Sequence, residues 1–456
     1  MIPRKAVKRT RNDIDMTTGP LPGKILLFSL PLIFSNILQL LFNAADIVVV
    51  GRFAGETSLA AVGSTGSLTN LLINIFIGMS IGTNVLTARS IGQKNTRAIS
   101  DTVHTSILFS VLCGIALAIL GFFIAKPALT LMGTPPDVID KSVLYMRIYF
   151  LGMPMTMLYN FGYAIMRARG DTRRPMFYLI IAGIVNVLLN LFFVINLHMN
   201  VAGVAIATVV AQTISALLIL RCLYKLDDEC KFEPKKLRIK KNTLIKMMTI
   251  GIPAGIQGAV FSVSNMLIQS SINYFGSVAM AANTAANNIE GFVYTSMNAI
   301  YQTTLSFTSQ NLGAKKIDRI KKVFILCSIT VIVLGLFLSI FIYAFGKAFL
   351  GIYSTSPEVV EYGIIRLSYI MLPYFLCGLM EVIVGSVRGL GASVSTTIIS
   401  LLGACAFRII WIYTVFEAHK KLEILYISYP ISWLLTSFGQ FMLFLILYKK
   451  AKKQYQ

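Results

Sequence analysis

The chain has 456 residues, 56% of them hydrophobic and only 13% charged, with a formal net charge of +22. An average soluble domain is about 25% charged, and a water-facing surface needs polar cover that this chain lacks. The composition excludes an ordinary globular enzyme, a disordered chain and a secreted disulfide scaffold, and points to a polytopic membrane protein.

A spanning helix needs about 20 apolar residues. Twelve runs satisfy this, at 25–50, 59–88, 103–125, 141–166, 176–198, 201–224, 244–275, 279–311, 323–346, 359–387, 394–416 and 422–448. No cleavable signal peptide is evident. The first 24 residues carry Arg4, Lys5, Lys8, Arg9 and Arg11, but the run after them is long and has no small-residue cleavage site. With the N-terminus inside, the inner segments hold 32 Lys and Arg. The outer segments and outer helix ends hold eight, among them Arg366. Arg408 falls mid-span. This asymmetry predicts an even span count with both termini cytoplasmic. The basic excess thus reads as topology signal and lipid contact, with no nucleic acid implied. The six Cys include no pair in an outer loop and no CxxC, so neither a disulfide framework nor a metal cluster is expected.

The two halves repeat at an offset near 221 residues. Ile91-Gly92-Gln93-Lys94 aligns with Leu312-Gly313-Ala314-Lys315, Pro136-Asp137-Val138 with Pro357-Glu358-Val359, and Pro31 and Asn43 with Pro253 and Asn265. A repeat of six spans enters the membrane the same way up each time, so two such bundles are related by a pseudo-two-fold along the membrane normal. The expected organisation is a basic cytoplasmic segment (1–24), an N-lobe of six helices (25–224), a cytoplasmic linker (225–243), a C-lobe of six helices (244–448) and a basic tail (449–456).

Of the 19 carboxylates, three lie well inside spans: Asp46, Glu290 and Glu381. A charge at the centre of the hydrocarbon costs about 2.5–3.5 kcal/mol on insertion scales, so each should face a cavity or a partner. Asp46 lies roughly 7 Å from the outer end of the first span at 1.5 Å per residue. Asn186 and Asn190, one turn apart on the fifth span, share a face. Together with Thr208 on the sixth they can reach the depth of Asp46. One carboxylate with amide and hydroxyl oxygens suits Na⁺. It equally suits a proton, because a carboxyl taken out of water prefers its neutral form. Hydrogen-bonding glue between helices is the bland alternative for the Asn and Thr residues. Asn283, Asn287 and Glu290 follow an i, i+4, i+7 pattern and form a polar stripe suited to a cavity wall. Gln257 on the seventh span and Tyr159, Tyr163 and Met166 on the fourth are further candidates for lining a substrate cavity, where aromatic and thioether groups would suit flat organic cations. Glu381 pairs with Arg408 or takes part in coupling; their counted depths differ by about 10 Å. Pro31, Pro154, Pro253 and Pro373 sit in spans 1, 4, 7 and 10, where each removes a backbone bond and bends its helix.

Taken together, Pro31 with Asn43 and Asp46, the Ala-Ala-Val-Gly of 60–63, the Ile-Gly-Gln-Lys loop of 91–94, Arg-Ala-Arg-Gly-Asp of 167–171, the Asn186/Asn190 pair, and Gly203 with Ala207-Thr208 resemble the multidrug and toxic compound extrusion (MATE) family. That family belongs to the superfamily of polysaccharide and lipid flippases. The resemblance runs over nearly the whole chain from about residue 16. It implies an all-α integral membrane fold of twelve transmembrane helices in two pseudo-symmetric six-helix lobes. It also implies cation-driven efflux of organic, often cationic, compounds by alternating access, in exchange for H⁺ or Na⁺ and with no further cofactor. Asp46, Asn186, Asn190 and Thr208 match the family's N-lobe cation site, and Glu290 falls where related chains carry an acidic C-lobe residue. Position 190 departs from many members, which have a second carboxylate there. The loss of that charge weighs against Na⁺ more than against H⁺.

The expected form is a monomer in a bacterial plasma membrane. A flippase for lipid-linked oligosaccharides is the alternative, but it would prefer a strongly cationic cavity, and Arg and Lys within the spans are nearly absent. A membrane-embedded enzyme finds no support: there are three His, and no nucleophile elbow, paired acidic motif or zinc pattern. The loop signature of major-facilitator transporters is also missing.

Overall fold

The computed structural model describes residues 13–455; Arg4, Lys5, Lys8, Arg9 and Arg11 lie outside them. Every regular element among the described residues is helical. In chain order these are α1 (Leu21–Val49), α2 (Glu56–Gly92), α3 (Thr96–Leu131), α4 (Pro136–Leu151), α5 (Met153–Arg169), α6 (Arg173–Leu191), α7 (Asn200–Tyr224) and α8 (Lys241–Asn273). There follow α9 (Ser277–Gly313), α10 (Ile317–Ala344), the short α11 (Gly346–Tyr353), α12 (Pro357–Ile370), α13 (Phe375–Gly389), α14 (Ser393–Ser400), α15 (Phe407–Trp411), α16 (Glu417–His419) and α17 (Leu422–Tyr455). Four π-helical stretches interrupt the spans, at Val50–Ala54, Phe192–Asn196, Leu401–Ala406 and Ile412–Phe416.

Eight helical stretches are long and apolar enough to cross a membrane, and the pair α12 and α13, bent by 46°, makes a ninth. Three more polar stretches, α2, α4 with α5, and α9, complete the twelve spans. The polarity of α9 is matched from within: the hydroxyls of Thr303, Thr304 and Ser309 donate to the carbonyls of Ala299, Ile300 and Leu305 at 2.7–2.8 Å. A hydroxyl bonded to its own helix four residues back leaves no unpaired donor in a dry interior.

Two of the in-span prolines act as breaks. Pro154 stands in the first turn of α5, where its missing N–H would be unpaired in any case. Pro373 lies in the break between α12 and α13. Pro31 and Pro253 are carried inside continuous helices.

The chain divides into two compact units: residues 13–15 and 34–252 belong to the first, residues 16–33 and 253–455 to the second. The division does not follow the span ends. Residues 25–33 group with the second unit and 244–252 with the first, so α1 changes unit just after Pro31 and α8 changes at Pro253. A proline leaves one carbonyl of its helix without the usual donor, which weakens the helix at that point.

The repeat is visible in the backbone. Lys94 and Lys315 take left-handed conformations, with φ of 54° and 59°, just past the ends of α2 and α9. In each turn the lysine N–H bonds back three residues, Lys94 to Ile91 at 3.0 Å and Lys315 to Leu312 at 3.1 Å. This is helix-end geometry that satisfies carbonyls otherwise left orphaned.

In the first unit, Arg169 of the Arg-Ala-Arg-Gly-Asp run holds Asp13 at 2.8 Å and Asp228 at 2.6 Å. The same run ends in Asp171, paired with Arg174 at 2.5 Å. Burial pushes the Asp171 carboxyl up, and the Arg174 guanidinium holds it back. The linker is fixed further by Lys240 on Asp101 at 2.7 Å and by the Glu233 N–H donating to His104 Nε2 at 3.0 Å.

Packing between spans depends on close approach. A Cβ on Gly114 of α3 would stand 2.3 Å from the Cα of Pro154 on α5. Backbone cannot step aside, so Gly114→Ala should behave as an overpacked core and lose about 1–3 kcal/mol. Gly63, with open space around it, is the control. Thermal unfolding of the two variants in detergent should show a clear drop for Gly114→Ala and little change for Gly63→Ala.

Candidate functional site

The polar groups of the first unit meet where counting along the helices places them. Asn190 Nδ2 donates to Asp46 Oδ1 and, at 3.3 Å, to Asn186 Oδ1. Asn186 Nδ2 in turn donates to Thr208 Oγ1 at 3.5 Å. The Thr208 hydroxyl donates to the Val204 carbonyl at 2.9 Å and lies beside the Asp46 carboxyl. Helices α1, α6 and α7 thus share one chain of hydrogen bonds with a single acid at its end.

Asn186 and Asn190 are buried, Asn190 completely. Among the described residues, Asn190 Oδ1 is buried with no hydrogen-bond partner, a rarity for a strong acceptor. One side of the site is dry: Val49, Val50, Val194 and Val204 form an apolar cluster against which Leu191 and Tyr145 pack. The π-helical stretches Val50–Ala54 and Phe192–Asn196 begin within four residues of Asp46 and Asn190. Such stretches often mark functional positions in membrane helices.

Comparison with known proteins decides the family. The MatE family model matches the chain twice, over 31–192 and again over 253–414. The chain belongs to the MatE family. Its two matches start 222 residues apart, in agreement with the repeat. The chain is 30% identical over 413 residues to the probable multidrug resistance protein YoeA of Bacillus subtilis, covering 89% of each. It is 25% identical over 355 residues to an FAD transporter of Shewanella oneidensis, covering 76% of this chain and 77% of that one. Among solved structures it resembles the outward-facing conformation of a multidrug resistance MATE family transporter of the MOP superfamily, with a TM-score of 0.91 at 20% identity over 98% of this chain and all of the other. The protein is therefore a multi-pass, all-α membrane transporter with the MATE fold, and its work is transport rather than catalysis.

The second unit of this MATE protein departs from several expectations. Glu290 does not stand free on a polar stripe. Arg366 of α12 grips it with Nε at 2.7 Å and Nη2 at 2.8 Å. The same guanidinium donates to Asn283 Oδ1 and, at 3.2 Å, to Asn287 Oδ1. Asn283 Nδ2 also donates to Gln269 Oε1 at 2.5 Å. Arg366, expected as an outer helix-end charge, is 2% exposed. It lies nine residues into α12, and a buried charge requires a partner. Gln257 is buried as the acceptor for Arg388 Nη2 at 2.8 Å, and Arg388 Nη1 donates to the Tyr301 hydroxyl at 2.8 Å.

Glu381 and Arg408 do not pair. Arg408 donates to Ser432 Oγ at 2.9 Å and stacks 4.2 Å over the Tyr429 ring. The guanidinium acting on Glu381 is that of Arg388, seven residues along the same helix. The second unit therefore buries three guanidiniums, of Arg366, Arg388 and Arg408, and the expectation that basic groups within the spans are nearly absent does not hold.

Tyr159 and Met166 are packed in the apolar core formed with α3 and α7, and Tyr163 lies against it. Their face of α5 is a packing face rather than a cavity wall. The Arg167 guanidinium stacks 4.6 Å over Tyr163. Sequence reading missed Tyr145 and Tyr149 on α4, both within electrostatic reach of Asp46. Their i, i+4 spacing, the same as that of Asn186 and Asn190, was the available signal.

Taking one partner from a buried ion pair leaves a bare charge and costs about 3–5 kcal/mol, whereas removing both costs far less. Arg366→Met should therefore lower the unfolding temperature in detergent by several degrees, and adding Glu290→Gln to it should recover most of the loss. A double variant no better than the single one would show that the pair is not what holds α12 against α9.

Proposed function

We propose that this transporter exports organic compounds, chiefly cationic drugs, in exchange for protons by alternating access, and that Asp46 is the group that loads and releases the ion. The chain acts as a monomer in the bacterial plasma membrane with both termini in the cytoplasm. The observation that carries the reading is the hydrogen-bonded chain from Asp46 through Asn190 and Asn186 to Thr208, with one orphaned acceptor in it.

That acceptor, Asn190 Oδ1, supports the proton in particular. A charged Asp46 accepts from the Asn190 amide nitrogen. A protonated Asp46 has an O–H to donate, and a half-turn of the amide offers it Oδ1. The same side chain answers both protonation states without moving the helices. A bound Na⁺ could use the same oxygens, but only one of them is charged, and a second carboxylate at 190 would serve it better.

The export reading draws on kinship with a probable multidrug resistance protein. A second substrate class has its own support: the three buried guanidiniums of the second unit, and kinship with a relative named as an FAD transporter. Both suit an anionic amphiphile, and this reading predicts stronger transport of flat anions than of flat cations.

Everted vesicles loaded by an imposed gradient separate these outcomes. Efflux of a cationic dye should follow ΔpH and not a Na⁺ gradient. Asp46→Asn should abolish it while purifying and unfolding like the parent. Full activity in Asp46→Asn would remove the acid from the mechanism, and efflux driven by Na⁺ alone would replace the proton. Orientation has an independent check: green fluorescent protein fused to either end should fluoresce, as it does when it stays in the cytoplasm, and a dark fusion at one end would overturn the even topology.

A further inference from the structure

We propose that the membrane face at which α1 and α10 begin carries a binding site for an anionic glycerophospholipid. A cavity of about 420 Å³ opens there within the second unit, lined by Gly19, Pro20, Leu21 and Pro22 on one side and by Arg319, Lys322, Ile325 and Leu326 on the other.

The wall of this cavity is built and not left to a loose strand. The carbonyls of Met16, Thr17 and Thr18 are saturated by side chains of the same unit. Arg319 donates to Met16 O at 3.1 Å and to Thr18 O at 2.8 Å, Lys316 to Thr17 O at 2.7 Å, and Lys24 to Thr18 O at 2.7 Å. Asn311 adds a second donor to Met16 O at 3.1 Å. The chain then turns at Gly19, with φ of +66°, into the first turn of α1.

The chemistry of the cavity is split in the way a phospholipid is split. The Lys24 ammonium sits beside Gly19, and Arg319 and Lys322 stand on the opposite wall, so three cationic groups gather at one end. The acid on this turn of α10, Asp318, faces away, toward Tyr448 and Lys452 of α17. Two exposed apolar rows lead off from the cavity along the spans. One runs from Pro22 through Leu26 and Leu30 of α1, the other from Ile325 through Ile329 and Val333 of α10. Lys322, five residues into α10, lies about 7 Å along the axis, the depth at which long basic side chains reach headgroups. An apolar groove at that depth is filled by lipid, and a cationic rim selects an anionic headgroup.

The test uses the full-length purified protein in neutral detergent, titrated with phosphatidylglycerol or phosphatidylcholine and read by native mass spectrometry and thermal shift. Phosphatidylglycerol should be retained and should raise the unfolding temperature, and phosphatidylcholine should do neither. A Lys or Arg near an anionic headgroup contributes about 1 kcal/mol, so Lys322→Ala should weaken retention about five-fold. Lys322→Glu should weaken it further, and Lys322→Arg should keep it. Lys321→Glu, an exposed neighbour outside the cavity, should behave as the parent. Equal retention of both lipids, or equal loss in the Lys321 and Lys322 variants, would overturn the site in favour of an unselective lipid shell. Protection by inorganic phosphate as strong as that by the lipid would overturn it in favour of a soluble anion.

Discussion

A carboxyl group placed inside an apolar bundle has to be met by something, and what meets it determines what it can do. Desolvation works against the charged form, and only a partner charge, a set of donors or a proton can offset it. The two halves of this chain answer in different ways. Glu290 is met by the fork of Arg366, at 2.7 and 2.8 Å. Asp46 is met by an amide, a weaker donor that carries no charge. On the proposed function, Asp46 is the carboxyl that exchanges a proton.

The surroundings of Asp46 follow from the same constraint. One turn beyond the polar chain the helices present valines, and these close that side to water. The π-helical stretches that follow Asp46 and Asn190 insert a residue into the helical register, which turns the next side chains to a new face. Polar atoms therefore point into the site and apolar ones cover it within a single turn. The segment Pro31–Ile33, where α1 passes from one unit to the other, lies four turns earlier on the same helix. On the proposed function, a change of charge at Asp46 would act on a helix already weakened at a defined point.

The twelve spans and the meeting of Asp46, Asn186, Asn190 and Thr208 could be read from the sequence because both rest on regular geometry. A helix rises a fixed distance per residue, so depth can be counted, and amides four apart must share a face. The repeat could be read in the same way, down to Lys94 and Lys315 with their matching left-handed turns. What stayed hidden depends on partners far apart in the chain. Arg366 looks like any basic residue near a helix end until Glu290, 76 residues away, is found beside it. The same holds for Gln257, whose partner Arg388 is 131 residues distant. Tyr159 and Met166 show a third limit: helical spacing reveals that two residues share a face, but not whether that face meets a cavity or another helix.

The repeat makes the contrast between the halves sharper. In the first unit a span-five amide reaches a span-six hydroxyl, Asn186 to Thr208. In the second, the corresponding helices place Arg408 against Ser432. One architecture therefore carries a neutral pair in one half and a charged group in the other. A guanidinium holds its proton at every physiological pH, so the Arg408 position cannot take part in proton exchange. If Asp46 is the coupling acid, the duplication has not doubled the coupling site. On the proposed function the first bundle carries the coupling carboxyl, and the second sets a guanidinium, Arg408, where the first has the neutral amide of Asn186.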